Sequence, residues 1–198
     1  MTEVERLKYD KMYKEVTTFA LKEIQLHDRK VSRAGWWLRL KLRRAARKLE
    51  HVVQAYPDGY SSMWFLGKIY ERLNDPERYF SWMARSYEAN PSQPDVAREA
   101  SMAAMNLGRT DDAVAYAFRA AQVGQQHAGL QANLALAYLL AGKFKLAKEA
   151  IGKSLESAPN DKVSRTLSDM IVHFAASGME PPRTTRALTE YWRKRPKI

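Results

Sequence analysis

A recurrence of 34 residues without insertion constrains this chain more than any other feature of its sequence. Leu134-Ala135, Tyr138, Gly142, Ala147, Ile151, Ser154 and Pro159 set the pattern. At the same offset upstream stand Ala100-Ser101, Ala104, Gly108, Ala113, Ala117, Ala120 and Gln125, and before them Leu66-Gly67, Tyr70, Asn74, Tyr79, Met83, Ser86 and Pro91. Matched residues at one spacing require a unit that recurs in space and buries its apolar side against its neighbours.

The order of features is a large apolar residue and a small one, an aromatic one turn later and Gly at a turn. A small, a bulky and a small residue come next, and Pro closes the unit. It resembles the tetratricopeptide repeat, a helix-turn-helix unit. The resemblance implies an all-α, right-handed α-solenoid of such repeats, with an N-terminal helical extension and C-terminal capping helices. It divides the chain into residues 1–57 with a degenerate first repeat, 60–159 with three repeats, and 160–198 with capping helices and a basic tail. It also implies a non-catalytic scaffold that binds a peptide or helical segment of another protein.

Charge is distributed to match. Lys/Arg exceed Asp/Glu by seven in residues 1–55 and by four in 160–198, and the two balance in 56–159, so the repeats are neutral and the flanks basic. The absence of cysteine excludes disulfides, thiolate metal sites and a cysteine nucleophile. Residues 1–14 are dense in charge and hold no apolar core of signal-peptide length, and no apolar run reaches the ~18 residues of a membrane span. The expectation is a soluble, cytoplasmic protein without a transmembrane segment.

Residues 3–27 lack Gly and Pro, and Tyr9, Met12, Tyr13, Val16, Phe19, Ala20 and Ile24 fall on one helical face, which predicts an amphipathic helix ended by His27-Asp28-Arg29-Lys30. Ser32 is a candidate cap for a second helix reaching Ala55, whose later half keeps the repeat register while Arg33 and Leu40-Lys41 break it. The first clear repeat spans helices over 61–73 and 76–89, the second runs over 94–123 with Thr110 or Asp111 as a cap, and the third over 129–158. Tyr79, at a position the family keeps small, predicts splayed helices there. A capping helix over 161–176 stops at Ser177-Gly178 and Pro181-Pro182, and a last helix covers 185–193.

By resemblance, the first helices of the repeats line a concave groove. Its candidate residues are Trp64, Lys68, Glu71 and Arg72, then Arg98, Met102, Met105 and Asn106, then Ala132, Leu136, Leu139 and Leu140. The last of these helices is apolar nearly all round, so its leucines need cover, from the helix after Asp161, the last helix, a partner, or a second copy in a homo-oligomer. Some family members grip a chaperone's C-terminal carboxylate with a fixed Lys, Asn and Arg set. Asn133 can supply one member here, but Trp64, Lys68, Val163 and Leu167 replace others.

A second candidate is the basic block from Arg29 to Lys48, with nine Lys/Arg and no acid. Arg33, Trp36, Arg39, Arg43, Arg44 and Arg47 suit phosphates and bases, an anionic membrane or an acidic protein. Against these stands a solvated face whose Trp36 and Trp37 pack on the first helix, because a tryptophan buries about 200 Å² when covered. His27, His51, His127 and His173 are scattered, with no metal-ligand spacing, phosphate loop or nucleophile motif. No catalytic residue, metal or cofactor is expected.

Overall fold

The structure is a computed structural model that describes residues 2–24, 34–124 and 127–195. The expected helix end at 27–30, the Ser32 cap, Arg33, Gln125 and the tail beyond Arg195 lie outside these residues. The described elements are helices: α1 (Glu3–Glu23), α2 (Trp36–Ala55), α3 (Tyr60–Arg72), α4 (Pro76–Ala89), α5 (Pro94–Leu107), α6 (Thr110–Val123), α7 (Ala128–Leu140), α8 (Phe144–Ser157), α9 (Lys162–Ser177) and α10 (Thr185–Lys194). The fold class is all-α, as the recurrence predicts.

Contacts divide the chain into two compact units, Met1–Asn90 and Pro91–Ile198. In the first, α3 and α4 form one hairpin, and α1 packs on both α2 and α3. In the second, α5/α6 and α7/α8 are hairpins, α5 packs on α7 and α7 on α9. α1 packs against α2 less extensively than the paired helices of the three hairpins pack against each other.

The recurrent positions carry the same duties in each hairpin. Leu66, Ala100 and Leu134 are buried on the first helices, and Met83, Ala117 and Ile151 on the second. The turn positions Asn74, Gly108 and Gly142 adopt left-handed backbone, with φ of 59°, 73° and 69°. This is why glycine recurs there and why asparagine, which tolerates that region, replaces it once. Tyr79 is fully buried within its hairpin, whose helices pack as extensively as those of α7/α8, and the Lys68 ammonium lies 5.9 Å from its ring centroid.

Local chemistry fixes the ends. Thr2 and Glu5 form a reciprocal capping box on α1, Asp75 caps α4 with Pro76 in its first turn, and Asp161 caps α9. Neither Thr110 nor Asp111 caps α6; Arg109 holds that position with no side-chain bond, and its Nε instead pairs with Asp112 at 2.7 Å. Hydroxyls at small recurrent positions tie helices together. Ser86 Oγ donates to the Tyr60 carbonyl at 2.8 Å, Ser101 Oγ to the Ala113 carbonyl at 2.9 Å, and the Ser154 and Ser164 hydroxyls meet at 2.9 Å.

Candidate functional site

In the first unit, the candidate groove residues on α3 are largely engaged by their own neighbours. Lys68 is buried and pairs with Glu71 at 2.5 Å. Arg72 Nε donates to the Glu23 carbonyl at 2.8 Å, placing a cation at the C-terminus of α1 where the helix dipole favours it. Trp64 is half-buried and meets Phe65 edge to face, and Phe65 in turn meets Tyr13 of α1. The Tyr70 hydroxyl donates to Glu50 at 2.8 Å and accepts from Arg78 at 3.3 Å. Burial, then the Glu50 carboxylate, raises the phenol's pKa above its ordinary value, so it stays a neutral donor.

In the second unit the candidates divide. Met105, Leu139 and Leu140 are packed inside rather than lining an open face. Leu136, Ala132 and Arg98 are half-buried, and Met102 stays 38% exposed. Arg98 reaches Glu99 at 3.3 Å through one terminal nitrogen, yet its buried Nε has no hydrogen-bond partner. Asn133 Nδ2 donates to Ser101 Oγ at 3.3 Å. Asn106 accepts a 2.6 Å bond from the Thr185 hydroxyl at the start of α10.

That last bond marks an arrangement not anticipated from the sequence. After α9 ends at Gly178, with φ of 67°, the chain returns to the α5–α6 turn, and Thr184 and Arg183 lie 3.4 and 3.6 Å from where a Gly108 side chain would begin. A cleft of about 310 Å³ is left between this returning segment and the α7–α8 turn, lined in part by Leu140, Phe144, Met179 and Pro181. α10 is anchored by buried Leu188 and by Tyr191, whose hydroxyl lies 2.8 Å from His173 Nε2 and whose ring packs on Phe174. Pro181-Pro182 is visible in the sequence as a stop signal, but the landing site of the segment that follows is not.

The basic helix differs from expectation. Trp36 and Trp37 do not pack on α1; they are 67% and 68% exposed and meet edge to face with centroids 4.1 Å apart. Arg43, Arg44 and Arg47 are exposed and Arg39 is half-buried. The fully buried residues of α2, Leu42, Ala45, Ala46, Leu49, Val52 and Val53, lie on one side of the helix, while Leu38, Arg39 and Leu40 are half-buried.

Among the described residues no three His, Cys, Asp or Glu side chains gather as a metal site, and no helix is long and apolar enough to cross a membrane. His51 and His127 are exposed, while His173 belongs to the α9–α10 contact.

Residues 128–161, which are α7, α8 and the cap of α9, match the tetratricopeptide repeat family. No curated protein matches the chain. Among solved structures, a crystal structure of MamA aligns with a TM-score of 0.62 and 18% identity, covering 77% of this chain and 85% of its own. YrrB, described as a TPR protein with an unusual peptide-binding site, aligns at 0.59 and 17% identity, covering 68% and 69%. The first TPR of Spaghetti (RPAP3), bound to the HSP90 peptide SRMEEVD, aligns at 0.55 and 16%, covering 59% of this chain and 93% of its own. One repeat is matched by sequence, and the recurring left-handed turns together with these neighbours show that the chain shares the helical-repeat fold of tetratricopeptide repeat proteins.

Proposed function

We propose that the chain is a non-catalytic protein-interaction scaffold that seats a peptide segment of another protein on the first-helix faces of α5 and α7. Supporting this, Met102 stands exposed on α5 and Leu136, its equivalent one repeat later, is half-buried on the adjoining α7. Arg98 and Ala132 occupy the equivalent pair one turn earlier. The Arg98 guanidinium, held against Glu99 at 3.3 Å, places a cation beside this pair. Met and Leu supply an adaptable apolar anchor beside it. YrrB and the Spaghetti repeat are TPR proteins whose descriptions name a bound or binding peptide, so a fold of this kind accommodates one.

The single observation that carries this reading is the open Met102 beside Arg98. A random peptide library displayed on phage, selected in parallel on the native chain and on Met102→Glu/Leu136→Glu, tests it. The expected result is peptides with an apolar anchor near a carboxylate, bound about tenfold or more weakly by the double variant. Peptides that bind both proteins equally would remove the seat from this face.

A further inference from the structure

The α2 surface away from its buried stripe is largely exposed. At 100° per residue, Trp36, Leu40, Arg43 and Arg47 form an outward stripe, and Trp37, Lys41, Arg44 and Lys48 form a second one beside it. Between Trp36 and Leu49 there is no acidic residue. The two indoles are exposed. Of the cations, Lys48 is engaged, 2.7 Å from Glu15.

The second stripe borders a cleft against α1. This cleft, about 220 Å³, is lined by Val16, Phe19 and Ala45 and rimmed by Lys41, Arg44 and Lys48. An apolar floor beneath a cationic rim matches a ligand that is apolar in its body and anionic at its head.

Three ligand chemistries can meet such a face, and the geometry discriminates among them. A single-stranded nucleic acid is held in a groove that tracks its backbone, with bases stacked on free aromatic faces. Here the cations project from one convex helix, and the two indoles are set edge to face against each other. An acidic peptide would have no use for two indoles at the helix tip. A planar anionic lipid surface, however, can meet at once the cations on one side of a helix, here Arg43, Arg44 and Arg47. It also provides the interfacial layer in which indoles partition, and it places acyl carbons beside the headgroups.

We infer that the exposed side of α2 docks this chain on an anionic lipid surface, Trp36 and Trp37 lying at headgroup level and Arg43, Arg44 and Arg47 against the lipid charges. The docking is peripheral, and it is independent of the peptide seat proposed on α5 and α7, since the residues belong to different units.

The test is co-sedimentation of the full chain with vesicles of phosphatidylcholine alone and of phosphatidylcholine with phosphatidylserine, alongside a single-stranded oligonucleotide in the same buffer. Each cation near a negative surface multiplies partitioning about fivefold. Arg43→Glu/Arg44→Glu should therefore weaken binding to the serine-lipid vesicles by about 100-fold or more. Trp36→Ala/Trp37→Ala should lose the quenching of indole fluorescence by brominated lipid that the native chain shows. All four side chains are exposed, so both variants should melt as the native chain does. The inference is overturned by equal partitioning onto both vesicle types, by no partitioning, by vesicle binding that both variants retain in full, or by preference for the oligonucleotide over the serine-lipid vesicles.

Discussion

A Cβ placed on Gly67 would stand 2.7 Å from the Cε of Met83 and 3.1 Å from its Cγ and Sδ. The second helix of this hairpin thus presses on the first where little more than a hydrogen fits. Alanine at position 67 would gain roughly 0.8 to 1 kcal/mol of helix propensity, but it must displace a side chain that is fully buried, and overpacking typically costs about 1 to 3 kcal/mol. Gly67→Ala should lower stability by about 1 kcal/mol net. In a Met83→Ala background the same change should instead stabilise by up to about 1 kcal/mol, and chemical denaturation of the four proteins measures that coupling.

The left-handed turns give a graded series. A Cβ at Gly142 meets nothing within 4 Å, whereas one at Gly108 contacts Thr184 and Arg183. Gly142→Ala should cost about 1 kcal/mol from backbone strain alone. Gly108→Ala should cost slightly less, because its Cβ meets Thr184 and Arg183 at ordinary van der Waals distance and gains contact with the returning C-terminal segment without displacing it. Asn74→Gly should raise the thermal midpoint slightly, since glycine relieves the residual strain at φ 59°. A much larger loss at Gly108 than at Gly142 would mean that the returning segment presses on that turn more closely than these distances show.

Arg72→Met keeps most of the stem of the side chain and removes the bond to the Glu23 carbonyl. The expected loss is about 1 kcal/mol, at the low end for a charged donor because Arg72 is half-exposed. Hydrogen exchange should accelerate in the last turn of α1 and leave α8 unchanged.

Asp161 links stability to acid. The Ser164 hydroxyl and then the Ser164 backbone N–H hold its carboxyl below the usual range. A depressed native pKa means the ionised group stabilises the fold above its unfolded value of about 3.9, and that contribution fades as pH falls through the lower native value. Asp161→Ala should cost about 1 kcal/mol near neutrality. Asp161→Asn should preserve the cap yet flatten the acid limb of a stability-against-pH curve.

Leu188 is the apolar anchor of α10. Leu188→Ala should cost about 2 to 3 kcal/mol and expose residues 185–194 to rapid hydrogen exchange. Tyr191→Phe, which removes only the hydroxyl facing His173, should cost about 1 kcal/mol. Similar small losses for both would mean that the helix contributes little to its unit.

The hairpins are legible because their signals are local. A small residue opposite a bulky one, and a turn that needs positive φ, leave marks at fixed spacing, and Leu66, Ala100 and Leu134 sit where the spacing puts them. Burial of Met105, Leu139 and Leu140 is harder to read, since a helix wheel gives directions but not which parts of the chain arrive from elsewhere. The α6 cap escapes a reading by side-chain type: Thr110 and Asp111 are both good caps, but the turn from Gly108 sets the cap one residue earlier, at Arg109. The expectation that Trp36 and Trp37 are covered rests on their area alone, but consecutive residues on a helix point 100° apart. Leu42, Ala45 and Leu49 already claim the side that meets the core.

The bond from Thr185 to Asn106 joins residues 79 apart, whereas repeat hairpins form from near neighbours. Translation delivers residues in order, so α5 through α8 can associate while α10 is still inside the ribosome. Only once α10 has emerged can it settle over the α5–α6 corner. This contact therefore closes the unit over a long sequence separation, and it can form only after α10 has been synthesised.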